Sequence, residues 1–129
     1  MTREEFKSLV EDALATIPPQ FRDAMQNIAI VIEDDPPDAL LREMGFDPKH
    51  DTLFGLYQGT PLPERHWDHG NVLPDKITLY QGPIEDDSQE EDDVVVAIGE
   101  TLIHEIGHYF GLSEEEIQEI EERYWRGDE

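Results

Sequence analysis

Apolar positions in this chain alternate between helical and extended spacing, and the changes of spacing mark out its elements. Phe6, Leu9, Val10, Ala13, Leu14 and Ile17 recur every three or four residues, which gives a helix one dry face. Thr2 with Glu5 forms a capping box at its start, and Pro18-Pro19 ends it. A further helical turn is expected around residues 21–25. Ile28-Ala29-Ile30-Val31-Ile32 is a compact β-branched run and predicts a buried strand. Asp34-Asp35-Pro36-Pro37-Asp38 reads as a helix start, with prolines in the first turn and acids near the positive end of the dipole. Ala39, Leu40, Leu41 and Met44 supply that short helix, and Gly45 suits its C-cap.

The second half follows the same logic. Residues 52–59 predict a second strand ending in a turn, and Lys76-Ile77-Thr78-Leu79-Tyr80 a third, closed by Gly82-Pro83. Residues 60–74 between them are rich in proline, glycine and polar side chains and predict a long loop, a common place for function. The acidic run over residues 85–93 reads as a solvated loop that becomes the first turn of the next helix, with Ser88 and Glu91 as its cap. One long helix is expected from about residue 90 to 110, with Val95, Ile98, Leu102 and Ile106 as its apolar stripe. Ser113 caps a last helix, with Glu116 at the capping-box position and Ile117 and Ile120 turned inward. Tyr124 and Trp125 are further candidates for that face. The expected architecture is one α+β domain over residues 1–129, with a small mixed sheet of about three or four strands and the long helix packed across it.

Charge narrows the partners. Nine Lys and Arg face 32 Asp and Glu, a formal charge of −23. Such a field repels nucleic acid and anionic membrane and favours cationic partners. With no cysteine, disulfides, thiolate ligands and a cysteine nucleophile are excluded. The N-terminal residues lack the basic start and apolar run of a signal peptide, and no apolar stretch reaches bilayer length. A cytoplasmic protein is therefore expected.

The chemistry concentrates in His104-Glu105-Ile106-Gly107-His108-Tyr109-Phe110-Gly111-Leu112-Ser113-Glu114, which reads H-E-x-x-H-x-x-G-x-x-E. Histidines four apart share one helix face, about 6 Å apart along the axis, so both imidazoles can reach one metal ion. Glu105, about 100° further round, can flank the ion and take a proton from its water. Gly111 can end the helix in a left-handed conformation and turn the chain back. Glu114 then becomes a third ligand, with Glu115 and Glu121 as alternatives, and a fourth position is left for water. Glu100 and Thr101 lie on the same face and could orient an imidazole. His66, Asp68 and His69 cluster in the long loop and could bind a second metal or line a cleft. His50 has no companion.

This stretch resembles the metzincin motif, in which a third ligand follows the glycine at this spacing. The wider chain, over about residues 30–117, is similar to the bacterial zincin-like metallopeptidases, minimal zincins with a matrixin-like core. The resemblance includes Ile32-Glu33-Asp34-Asp35-Pro36-Pro37, Phe54-Gly55-Leu56-Tyr57-Gln58-Gly59-Thr60-Pro61-Leu62 and Val72-Leu73-Pro74-Asp75-Lys76-Ile77-Thr78-Leu79-Tyr80 with Gly82-Pro83. It implies one zinc per chain on His104, His108 and Glu114, with Glu105 as catalytic base in peptide-bond hydrolysis. That family commonly has aspartate where Glu114 stands. Larger metzincins also place a methionine turn beneath the metal, whereas the 15 residues after Glu114 contain no methionine. By analogy with those enzymes, Lys76–Tyr80 would be the edge strand that pairs with extended substrate. The expected partner is a peptide or protein substrate, with basic sequences favoured by the acidic surface. The alternative is a non-catalytic metal-binding or acidic interaction domain on the same fold. Catalytic zinc keeps an open position and structural zinc does not.

Overall fold

In a computed structural model of the chain, which describes residues 1–59 and 75–126, the apolar periodicities resolve into six α-helices and three strands. In chain order these are α1 (Arg3–Leu14), α2 (Pro19–Ala24), β1 (Ala29–Glu33), α3 (Asp38–Glu43), β2 (Gly55–Gln58), β3 (Lys76–Tyr80), α4 (Gln81–Asp86), α5 (Glu91–Phe110) and α6 (Glu114–Arg126). A 3-10 turn, Met25–Asn27, joins α2 to β1. The architecture is α+β with a mixed three-stranded sheet. The loop cluster of His66, Asp68 and His69 lies outside the described residues, as do the side chains of Tyr124 and Trp125.

Strand order is β1-β3-β2. β1 runs parallel to β3, from Ala29 opposite Lys76 to Glu33 opposite Tyr80. β2 runs antiparallel to β3, from Gly55 opposite Leu79 to Gln58 opposite Lys76. β3 is thus the central strand, and Ile77, Thr78, Leu79 and Tyr80 are all buried, on both sides of the pleat. Two expectations change here. β3 is paired on both sides and has no edge to offer a substrate. Among the described residues β1 is an edge strand, with Ile30, Val31 and Ile32 only half-buried. A β-branched run suits any pleated, partly covered surface, so it does not distinguish centre from edge.

α5 is the axis of the packing. Val94, Ile98, Leu102, Ile103, Ile106 and Tyr109 are buried along it, a broader arc than a single stripe. α1 packs along it and β2 and β3 lie against it, so Val94 goes inside while Val95 remains partly covered. Phe6, Val10 and Ala13 of α1 join this core with Ile17, Phe21, Ile77, Leu79 and Ile84. Thr2 and Glu5 form the expected capping box.

Gly82-Pro83 does not end β3 in a turn. The chain enters α4 directly, and Pro83 fits its first turn, where backbone N–H groups have no intrahelical acceptor. The Ser88 cap is also replaced. Ser88 Oγ donates back to Ile84 O at 2.8 Å, and Glu90 with Asp93 forms the capping box of α5. Pro36 and Pro37 precede α3 instead of entering it, with Pro37 as N-cap.

Arg3 ties three segments together. Its Nε donates to Gln81 Oε1 at 2.8 Å and its Nη1 to Ile32 O at 2.6 Å. Its Nη2 pairs with Asp34. The guanidinium thus joins α1 to the end of β1 and the start of α4. Replacing Arg3 with alanine should destabilise the fold by about 2 kcal/mol, since charged hydrogen bonds contribute roughly that much. Urea denaturation with an unchanged m-value checks it.

Candidate metal centre

The long helix sets the first half of the site. His104 and His108 lie one turn apart on α5, with ring centroids 4.8 Å apart and planes at 75°. Both side chains are partly exposed. Gly111 ends the helix at φ 74°, ψ 26°, a left-handed conformation that costs glycine nothing. Leu112 N then donates to Gly107 O at 2.9 Å, closing the helix end. Ser113 and Glu116 form the expected capping box, with Glu116 N donating to Ser113 Oγ at 3.2 Å and Ser113 N to Glu116 Oε1 at 3.0 Å.

α6 supplies the second half because it returns in direct contact with α5. Ile117 is 1% exposed and sits against Gly107. A Cβ on Gly107 would come within 2.5 Å of Ile117 Cγ1 and 2.7 Å of its Cδ1. Glu114 and Glu121 are seven residues apart, two helical turns, and therefore share the α6 face that holds Ile117. Both carboxylates reach the histidines. Glu114 Oε1 is 3.5 Å from His108 Nε2, and its Oε2 is 3.7 Å from His104 Nε2. Glu121 Oε1 is 3.3 Å from His104 Nδ1.

Glu105 is differently held. It is buried at 7% exposure, and its Oε1 accepts a 2.7 Å hydrogen bond from the backbone N–H of Tyr57 on β2. The same oxygen is 3.5 Å from His108 Nδ1. Donor atoms of His104, Glu105 and His108 all lie within 4.8 Å of one another, a group that could hold a metal ion. Distance alone does not choose between Glu105 and Glu114 as the acidic member of such a group. Their settings differ: Glu114 faces the Nε2 atom of both rings, whereas Glu105 accepts from the Tyr57 amide of β2.

The remaining expected residues fall outside this arrangement or at its margin. Thr101 Oγ1 donates to Ala97 O at 2.7 Å, and its methyl fills the space a side chain on Gly55 would need. Glu100 lines a cleft of about 370 Å³ together with Phe54, His104, Glu105 and Glu121. Glu115 lines another groove, with Glu119 and Glu122. His50 is exposed and pairs with Asp47, Nδ1 to Oδ2 at 2.6 Å. Three contributors were not anticipated in their roles. These are the Tyr57 amide, the close approach at Gly107, and Glu121 on the Nδ1 side of His104. The seven-residue interval from Glu114 to Glu121 was a usable signal. A backbone amide donated by a distant strand leaves none.

Beside the cleft, the protonation equilibria of His108 and Glu100 are displaced. His108 is raised above the usual imidazole value, first by its hydrogen bond to Glu105, against desolvation, and further by the charges of Glu105 and Glu114. Glu100 is pushed up to about 7, mainly by burial and then by the charges of Glu121 and Asp87.

Glu100 gives a pH test with a defined sign. A carboxyl whose folded pKa exceeds its ordinary 4.5 binds more protons folded than unfolded, so its contribution is lost as pH rises through about 7. In metal-free protein, Glu100→Gln should be more stable than wild type at pH 8, and the gap should close as pH falls towards 4.5; denaturation midpoints across this range measure it. Gly107→Ala should push Ile117 off α5 and draw both α6 carboxylates away from the histidines. Divalent-metal affinity should fall at least tenfold, by analogy with loss of supporting groups at metal sites, as read by competition with a chelator.

Residues 25–124 match the family model described as zincin-like metallopeptidase, a stretch that includes the three described strands, all of α5 and α6 as far as residue 124. No curated protein matches the chain. Among the described residues, no helix is long and apolar enough to cross a membrane. The chain belongs to the zincin-like metallopeptidase family.

Proposed function

We propose that the protein is a zinc-dependent hydrolase of peptide bonds, with zinc held by His104 Nε2, His108 Nε2 and the Glu114 carboxylate. The observation that carries this reading is the Glu114 carboxylate at 3.5 and 3.7 Å from the two Nε2 atoms. Ligand atoms on a tetrahedron about 2.1 Å from its centre are about 3.4 Å apart, so these separations suit one ion. Two imidazoles and a carboxylate are also a suitable donor set, since catalytic zinc takes three protein ligands of these types and retains an open position. Glu114 is exposed, which leaves that side of the site open to water.

Zinc bound there would supply Lewis-acid polarisation of the scissile carbonyl and acidify a water molecule. The proton chemistry belongs to Glu105. Its Oε1 is engaged by the Tyr57 amide, leaving Oε2 to take the proton from the attacking water and return it to the departing amine. Burial keeps this carboxylate in one orientation and strengthens its field. The substrate would enter by the cleft between the Thr52–Gly55 segment and α5, beside β2. The −23 charge favours basic peptides in solution, by steering. The competing reading is a closed metal staple without catalysis, in which a further ligand would fill the open position.

Metal analysis of chelator-free protein separates these readings. One zinc per chain is expected, lost in His108→Ala and Glu114→Ala. Glu105→Gln should keep its zinc and lose roughly 10²–10⁴-fold in cleavage of a mixed peptide library. Zinc retention with no cleavage in the wild type would favour the staple. A wild-type chain that takes up no zinc would overturn both.

A further inference from the structure

We infer that Glu121 is a positioning residue for His104, and this inference rests on the metal reading above. Its carboxylate would accept a hydrogen bond from His104 Nδ1–H, hold the ring in that tautomer and present Nε2 to the metal.

α6 touches His104 at both nitrogens. Glu114 Oε2 lies 3.7 Å from Nε2, whereas Glu121 Oε1 lies 3.3 Å from Nδ1. Neutral imidazole has one N–H and one lone pair, so fixing the proton on one nitrogen fixes the lone pair on the other. A carboxylate at Nδ1 can only accept, so it selects the Nδ1–H form and leaves the Nε2 lone pair for a cation. The same geometry argues against Glu121 as the third ligand, because an ion on the Nε2 side is across the ring from it.

The two acids also differ in setting. The Glu121 side chain is 24% exposed and that of Glu114 74%. Glu121 is the more sheltered and so the better placed to hold a ring in a fixed orientation. Ile117, between them on the same face, is anchored against Gly107, so the position of Glu121 is set by the interhelical contact. His108 has a comparable arrangement with a carboxylate from its own helix. Its Nδ1 faces Glu105 at 3.5 Å, and that carboxylate is held by Tyr57. Each imidazole therefore has a carboxylate on the nitrogen turned away from the Glu114 side. Carboxylate partners of this kind fix ring orientation and raise ligand basicity.

Two measurements on the full chain test this. Nitrogen-15 chemical shifts of His104 in metal-free protein should report the Nδ1–H tautomer in wild type. Glu121→Ala should return the ring towards the Nε2–H form favoured by free histidine side chains. Zinc affinity, measured by chelator competition, should fall roughly 10–100-fold in Glu121→Ala. Glu121→Gln should recover part of it, because the amide oxygen still accepts from Nδ1–H. Glu114→Ala should lose more affinity while leaving the His104 tautomer unchanged, which distinguishes a ligand from a positioning residue. An unchanged tautomer in Glu121→Ala, or equal zinc affinity in Glu121→Ala and wild type, would overturn the inference. If wild-type protein takes up no zinc, the hydrolase reading fails, and the tautomer shift alone decides whether Glu121 orients His104.

Discussion

The contact between Ile117 and Gly107 is the constraint on which the site depends. The two histidines need only a helix, and any regular helix through residues 104–108 puts them on one face. The proposed third group must come from elsewhere in space. It would come from α6, whose approach is limited by the bulk at the crossing point. Glycine at 107 removes that bulk, and the Ile117 side chain occupies the space where a Cβ would project. Glu114 lies three residues before Ile117 and Glu121 four residues after it, so this packing contact brings one carboxylate to each side of His104. The left-handed turn at Gly111 makes the return possible, and the crossing contact determines where it ends.

A second constraint comes through the sheet. Tyr57 lies on β2, an outer strand, and donates its amide to Glu105 instead of to another strand. Its ring packs edge-on to Tyr109 of α5, with centroids 6.0 Å apart, and its hydroxyl donates to Asp75 Oδ1 at 2.7 Å. The ring thereby ties β2 to the helix, and the hydroxyl ties it to the residue that precedes β3. The buried carboxylate gains the hydrogen bond that burial requires. The position of Glu105 therefore depends on a residue 48 positions away, through the register of a three-stranded sheet.

These couplings explain which parts were legible in the chain. The starts of α1 and α6 follow from local chemistry, and the caps at Thr2 and Ser113 form as written; α1 ends at Leu14, short of the expected Pro18-Pro19. His104, Glu105 and His108 converge because their spacing is local to one helix. Strand placement was less legible. The β-branched run of β1 marks an edge, and β3 marks the centre, because position in a sheet depends on pairing order and not on composition. Ser88 illustrates the same limit at smaller scale. Its spacing to Glu91 fits a cap, yet its hydroxyl bonds back to α4, and Glu90 takes the capping position. The role of Glu121 depended on which nitrogen of His104 it would face, and a helical repeat does not carry that information.

Charge gives the site its remaining logic. Glu105, Glu114 and Glu121 converge on two imidazoles, and Glu100 faces the same cleft as three of these five groups. Described ion pairs of the three converging acids are all to histidine. Histidine is a weak counter-charge near neutral pH. Burial first, and then like-charge repulsion from Glu121 and Asp87, displaces Glu100 upward, whereas hydrogen bonding and attraction to Glu105 and Glu114 displace His108 upward. Both displacements draw protons into the cluster to offset its negative charge. A divalent cation on the Nε2 side would meet the same demand with two charges at one point, and would displace the His108 proton in doing so. Docking of α6 and cation binding are therefore linked. The helix that would complete the proposed ligand set also brings in the carboxylates whose repulsion a cation would relieve.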